Sequence, residues 1–470
     1  MSGTDVLVVG GGISGLAIAQ RLARHGVRVE VWEKDARPGG KIRSDSQNGY
    51  LTEQAAAMLL NFRPEVTRFI TEAGLDDFRK PRATTGHRYV VSDGRLTALP
   101  MKLGPLLASD VWSTRGKLRL LLEPFVPRSG SRDESVSEFI TRRLGREVLD
   151  KTMGPYVAGL LASDPEQANA SSVLPRLVAL EKRYGSITMG VLVHRLLKRK
   201  AGTATEAFSF RDGMATLVRL LADDRRVSVR SGHTVTGLSR TVDGWQVAAE
   251  TSGGDRLINA RQLVISTPAY AAAALLQRHS AALAHLLGDI EYASLSVVHT
   301  GFARNAIEHP LDGNGFLMQR NNSTSLIGCM WMSSLFSNHA PEGKVLLSNY
   351  LGGAAHPAAV AWSDERLLGE TLTTLKPFLG LRGEPEMARI NRHRRALPLY
   401  HGDYYRRMQR LDRLLAALPG LHVAANYRGG ISVRDRLACA MSSAEKILRS
   451  LESASPTTYS MPGLILEPQN

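Results

Sequence analysis

At 470 residues the chain is too long for one compact core, and its 43% hydrophobic and 22% charged residues exclude disordered and collagen-like classes. A formal charge of +15 admits nucleic acid, an anionic membrane surface or an acidic substrate. The Lys and Arg are scattered and no helix-turn-helix or RNA-binding signature occurs, which argues against nucleic acid. Cys329 and Cys439 are too few and too far apart for a disulfide framework or a zinc site, so both are expected as buried, reduced thiols of a cytosolic protein.

The start reads DVLVV (5–9), a buried strand, then GGGISGLAIAQRLARHG, a turn and a helix capped by Gly26. VRVEVWEK (27–34) is a second strand, which completes a βαβ unit of about 30 residues. The glycine-broken start, preceded by Asp5, does not read as a signal peptide. From about 101 to 200 the pattern is helical and basic. Strands return at 227–250 and 261–267, and a mixed segment with several strands runs from about 297 to 353. The longest apolar runs, such as AYAAAALL (269–276), fall short of the roughly 18 residues of a membrane span, so the protein is expected to be soluble or to lie on a membrane surface. GLHVAANYRGG (420–430) reads as strand then loop, ISVRDRLACAMSSAEKILRSL as a closing helix, and 453–470 as a loosely ordered tail.

Gly10, Gly12 and Gly15 fit G-x-G-x-x-G between a strand and a helix. The first permits the tight turn, the second lets a pyrophosphate approach, and the third lets helix and strand pack closely. The helix N-terminus adds free N–H groups for the phosphates. Glu33, at the end of the second strand, is placed to accept from a ribose 2′-OH. The βαβ unit therefore reads as a dinucleotide site.

RPGGKIRS (37–44) follows, with Gly39, Gly40, Lys41 and Arg43. It resembles the G-G-[RK] element of the flavin amine oxidase and protoporphyrinogen oxidase superfamily, where that element lies along the FAD diphosphate. The resemblance makes FAD the expected cofactor. HTVTGL places Val235 at the family's adenine-contacting valine, and VISTPA (264–269) resembles its strand crossing between domains. ANYRGGISVRDRLA resembles the closing motif, with Gly430, Ile431 and Ser432 opening the last helix near the diphosphate and pyrimidine end. A helix N-terminus there would stabilise negative charge on reduced flavin.

Within the superfamily, PYVAGLLASDPEQANASSVLPRLVALEKRYGSI (155–187), GCMWMSSLFSNHAPEGKVLLSNYLGG (328–353) and HRYVVSDGRLTALP (87–100) resemble protoporphyrinogen oxidase segments. The resemblance covers nearly the whole chain. It implies an α/β, Rossmann-type (glutathione-reductase-like) FAD domain assembled from 1–80, 205–268 and 396–452. It further implies an α+β substrate domain from 81–100 and 269–395, and a helical, membrane-docking subdomain at 101–204. The implied activity is oxidation of protoporphyrinogen IX to protoporphyrin IX in haem biosynthesis, with dioxygen reduced to hydrogen peroxide. The alternatives are coproporphyrinogen III oxidation and a flavin-binding paralogue without porphyrinogen activity. By the same resemblance Arg88 anchors a propionate, Leu317, Met330 and Tyr350 sandwich the macrocycle, and Gly159 brings backbone close to substrate and flavin. No catalytic side chain is expected, since the redox step belongs to the flavin. Lys102, Arg115, Lys117, Arg119, Arg195 and Lys198 suit an anionic leaflet, giving an expectation of peripheral association with the inner face of the cell membrane. A homodimer is left open. Several family glycines are replaced here: Ala55 in Glu53-Gln54-Ala55, Ala425, Ala440 and Ser163, while Asp403 stands for a histidine.

Overall fold

The structure, a computed structural model, describes residues 3–83, 87–92, 94–100, 104–105, 109–197, 205–319 and 324–453. It is a mixed α/β fold with two seven-stranded sheets.

The first sheet is centred on Gly3–Val9, which lies parallel to Val29–Trp32 on one side and to Gly254–Ile265 on the other. Val227–Arg230 extends it beyond Val29–Trp32. The twelve-residue strand Gly254–Ile265 changes partners along its length. Its end takes Leu421–Val423 in parallel, while its start pairs antiparallel with Gly244–Thr251, which in turn pairs with Thr234–Thr241. The continuous apolar run of the first strand follows from cover on both faces. Val6 and Val8 pack into a core shared with the helices Ile13–Ala23, Ala215–Ala222 and Val433–Ser453. Leu7 and Val9 face a second core built on Trp245 and on the helices Ala269–Leu276 and Tyr404–Ala416.

The second sheet has the order Met387–Pro398, Tyr292–Ala303, Lys344–Gly352, Leu326–Trp331, Gly313–Leu317, His87–Ser92, Arg95–Leu99. Phe316, Cys329, Trp331, Leu347 and Leu351 turn to one face and pack with Leu367, Leu375 and Leu379 of the helix Asp364–Leu379. With a side-chain period of two, the other face is left to the residues between them. A three-stranded sheet, Leu59–Asn61, Glu206–Phe210 and Arg79–Pro81, runs beside these two.

Between 109 and 197 the chain is helical as expected, with Gly185 at φ +78 separating Pro175–Tyr184 from Ile187–Leu197. Lys102, Lys198 and the tail from 454 onward lie outside the described residues, as does the side chain of Arg195. Among the described residues no helix is long and apolar enough to cross a membrane. One expectation needs correction: Cys329 is buried, but Cys439 is only half-buried, because the closing helix turns it toward the Gly429 carbonyl at the surface.

Candidate active site

Each of the three fingerprint glycines meets a different constraint. Gly10 turns at φ +106, and a Cβ there would press on the Ser266 backbone at 3.1 Å. A Cβ on Gly15 would fall well inside contact with the Gly10 carbonyl oxygen. A Cβ on Gly12 would meet nothing within 4 Å, so the turn presents bare backbone to open space. Glu33 is buried beneath this turn and accepts from the Gly11 amide at 2.7 Å and the Asp35 amide at 2.9 Å. Gly39 and Gly40, at φ +111 and +58, lie against it: the Gly39 amide donates to the Gly11 carbonyl at 2.7 Å.

The two basic residues that follow diverge. Arg43 is tied locally, donating to the Gly40 carbonyl and pairing with Asp35 at 3.3 Å. Lys41 turns its ammonium to the carbonyls of Arg395 and Ala396, and burial pushes its pKa down to about 8. It therefore bridges to the second sheet. Val235 is half-buried at a bulge in Thr234–Thr241, two residues beyond His233, whose amide donates to the Glu33 carbonyl at 2.9 Å. Ser432 caps the closing helix, accepting from the Asp435 amide at 3.1 Å, with Gly430 at φ +104 and Ile431 between the two.

Leu317, Met330 and Tyr350 sit on adjacent strands of the second sheet, on the face away from Asp364–Leu379. The Tyr350 hydroxyl donates to the Met330 sulfur at 3.5 Å. Gly159, in the helix Gly154–Leu161, is packed so closely on Leu317 that a Cβ would overlap its side chain. Arg88 leaves the neighbouring strand His87–Ser92 with no ion-pair partner among the described residues. It is close enough to Arg82 to help lower that residue's pKa, after burial.

Residues 13–436 match the family described as flavin containing amine oxidoreductase. The chain belongs to that family. Among its relatives, a mitochondrial protoporphyrinogen oxidase of Nicotiana tabacum is 30% identical over 97% of this chain and 96% of its own. The coproporphyrinogen III oxidase of Bacillus subtilis (strain 168) is 28% identical over 92% of this chain and 95% of its own. Two crystal structures share the fold. A protein from Exiguobacterium sp. 255-15 has a TM-score of 0.78 at 23% identity, covering 96% of this chain and 100% of its own. Reduced UDP-galactopyranose mutase has 0.72 at 14% identity, covering 95% and 96%.

The cofactor of this flavin amine oxidoreductase is FAD, and the residues present fit it. The bare backbone at Gly12 is where a diphosphate needs access, and Ser266 Oγ and Thr267 Oγ1 are buried beside the turn without a partner among the described residues. When bound, FAD supplies two-electron oxidation of a C–H or N–H bearing substrate. Leu317, Met330 and Tyr350 form an apolar group on one face of the second sheet.

The segment Glu53-Gln54-Ala55 joins the two parts. Glu53 is buried, accepts from Ser44 Oγ at 2.7 Å and from the Met214 amide at 2.8 Å, and burial pushes its pKa up to about 8. Burial raises the pKa of Tyr350, and the charge of Glu53 adds to that. His393 bonds the Gln54 carbonyl and His339 the Leu51 carbonyl, both at 2.8 Å, across the junction. Sequence reasoning missed these imidazoles. The available signal was a histidine inside an otherwise apolar or motif-rich stretch, which is as often plain core.

Proposed function

We propose that this flavoenzyme oxidises a porphyrinogen to the porphyrin in haem biosynthesis, with dioxygen accepting the electrons as hydrogen peroxide. The observation that carries this reading is the open face of the second sheet. Leu317, Met330, Tyr350 and the close-packed Gly159 offer an apolar wall, near Arg88, which has no ion-pair partner among the described residues. A flat, electron-rich macrocycle with carboxylate arms asks for that combination: apolar contact over the ring and a guanidinium that meets a carboxylate bidentately. Relatives named for both protoporphyrinogen and coproporphyrinogen oxidation support it.

In this reading the first sheet with Glu33, Gly39, Gly40, Lys41, Arg43, Val235, Gly430, Ile431 and Ser432 seats FAD, and the second sheet holds the substrate. FAD held there would supply the two-electron oxidation, while the chain excludes water and fixes the approach of the macrocycle. Anaerobic mixing of purified, flavin-loaded protein with each porphyrinogen tests the proposal. Bleaching of the flavin absorbance is expected, and a yellow protein bleached by neither substrate sinks it.

The helical segment is proposed to rest on an anionic membrane surface. Leu118, Leu121 and Phe125 are 57%, 66% and 82% exposed, and Leu160, Met189 and Leu192 are exposed on the neighbouring helices. Arg115 and Lys117 stand on the same helix as Leu118. Arg119 does not join them, being turned inward to the carbonyls of Arg142 and Arg143.

A further inference from the structure

Phe62 follows the strand Leu59–Asn61 and carries two guanidiniums: those of Arg176 and Arg434 both lie 4.1 Å from its ring centroid. Arg434 is anchored, donating to the Leu60 carbonyl at 3.1 Å and pairing with Asp435 at 3.2 Å. Arg63 also reaches Asp435, at 3.5 Å. That one carboxylate further accepts from Ser432 Oγ at 2.6 Å, so it is already fully engaged. Arg176 is exposed and has no ion-pair partner among the described residues. Burial and then the repulsion of Arg434 and Arg63 lower its pKa. Arg63 also pairs with Glu65 at 3.5 Å, so three guanidiniums stand against two carboxylates and the cluster keeps an excess of positive charge.

The chain leads from this cluster toward the proposed substrate face. Tyr156 acts electrostatically on Arg176, and Tyr156 lies three residues before Gly159, on the same side of their helix. Its distance from the first anchor is set by the three-stranded sheet. The Arg82 amide donates to the Ala207 carbonyl, and Leu60 pairs with Ala207 from the other side. Arg82, beside Arg88, is thus two strand spacings, about 10 Å, from the Leu60 carbonyl that holds Arg434. The backbone positions that carry the two sets of guanidiniums are therefore near neighbours across this sheet.

We propose that Arg176, seated on Phe62 beside Arg434, forms a second carboxylate-binding subsite, which favours a porphyrinogen bearing propionates on opposite edges, as coproporphyrinogen does, over one bearing them on a single edge. The inference rests on the porphyrinogen reading above. A guanidinium flat on an aromatic ring can keep its N–H edge free for bidentate contact. Arg434 spends its edge on Asp435 and the Leu60 carbonyl, so the free edge is that of Arg176.

The test is steady-state kinetics of the flavin-loaded enzyme with coproporphyrinogen III and protoporphyrinogen IX, comparing wild type with Arg176→Gln and Arg176→Lys. Arg176 makes no hydrogen bond to the rest of the described fold, so these variants probe binding. Arg176→Gln is expected to raise KM for the tetrapropionate about tenfold with little change in kcat, and to shift the ratio of the two kcat/KM values toward the dipropionate. Arg176→Lys is expected to restore part of the loss by keeping the charge without the planar fork. A ratio unmoved by Arg176→Gln overturns the subsite while leaving the porphyrinogen reading intact. Failure of wild type to oxidise either substrate overturns that reading itself.

Discussion

Gly15 has no room for a single added methyl, since it would overlap the Gly10 carbonyl, whereas one on Gly12 would meet nothing within 4 Å. Gly15→Ala is therefore expected to yield protein that retains little FAD, measured by flavin-to-protein absorbance. Glu33→Ala, which strips the acceptor from the Gly11 and Asp35 amides, is expected to weaken FAD retention by at least tenfold. These positions were legible because a glycine fingerprint reports on backbone geometry, which local sequence dictates. The replaced family glycines are equally informative. Among described residues positive φ at non-glycines occurs at Asn48, Ala162 and Leu311, so Ala55, Ala425 and Ala440 carry no such strain. Ala440 is simply buried in the core between Ile13–Ala23 and the closing helix. Ser163 spends its hydroxyl on His401 at 2.9 Å, which no reading of either residue alone could foresee. The titrations at the junction are likewise products of burial. Burial drives His339 to about 4 and His299 to about 3, so both are neutral in the fold and protonated when unfolded below about 6.5. Their contribution is full above pH 6.5 and is lost as pH falls. Glu53 acts oppositely: its folded carboxyl holds a proton up to about pH 8 while the unfolded one releases it near 4.5, so stability declines as pH rises between those values. A melting-temperature profile peaking near pH 6.5 is expected, and Glu53→Gln is expected to flatten its alkaline limb.

Elements with a continuous apolar run or a capping pattern were legible; those defined by their neighbours were not. Met387–Pro398 contains Arg389, Arg392, Arg394 and Arg395 and has no apolar run, because it is the edge strand of its sheet and much of it faces solvent. Asp364–Leu379 is invisible as an isolated pattern for a related reason: only Leu367, Leu375, Leu379 and a few neighbours meet the sheet. In the helical segment the decisive element contact is ionic. Glu123 and Arg143 are both 0% exposed and paired. Glu123 also accepts from the Ile187 and Thr188 amides at 2.9 and 3.0 Å, at the start of Ile187–Leu197, while Arg143 donates to the Val126 and Gly185 carbonyls. One pair thus binds the ends of four separate segments. Removing one partner strands a buried charge, so Glu123→Ala is expected to cost about 3–5 kcal/mol in chemical denaturation. Replacing both by apolar residues of similar volume, Glu123→Leu with Arg143→Met, is expected to recover most of that loss; a double variant as unstable as the single one would refute the account.

On the scale of the whole molecule, the Tyr50–Glu53 strand packs against Gly301 of the second sheet, and the helical segment leads from Gly159, packed on Leu317, to an exposed apolar surface. That two sheets are interleaved in the chain was readable from family motifs at both ends. The strand order of the second sheet was not, since a parallel pairing of Gly313–Leu317 with His87–Ser92 joins segments more than two hundred residues apart. The exposed apolar side chains gather where Thr114–Leu121, Glu123–Phe125 and Ile187–Leu197 approach one another, with Leu121 and Phe125 the most exposed. A side chain of that kind gains roughly 1.5–3 kcal/mol when it leaves water. Burying the pair in a lipid interface thus outweighs the loss of hydration, and the flanking basic residues add an attraction to anionic lipid that salt screens. Leu121→Glu with Phe125→Asp is therefore expected to lower cosedimentation with phosphatidylserine-containing vesicles by at least tenfold. Wild type should release only partly in high salt, because the apolar contribution remains. Cosedimentation unaffected by the double substitution, or abolished by salt alone, would transfer the attachment from this apolar face to charge distributed elsewhere on the molecule.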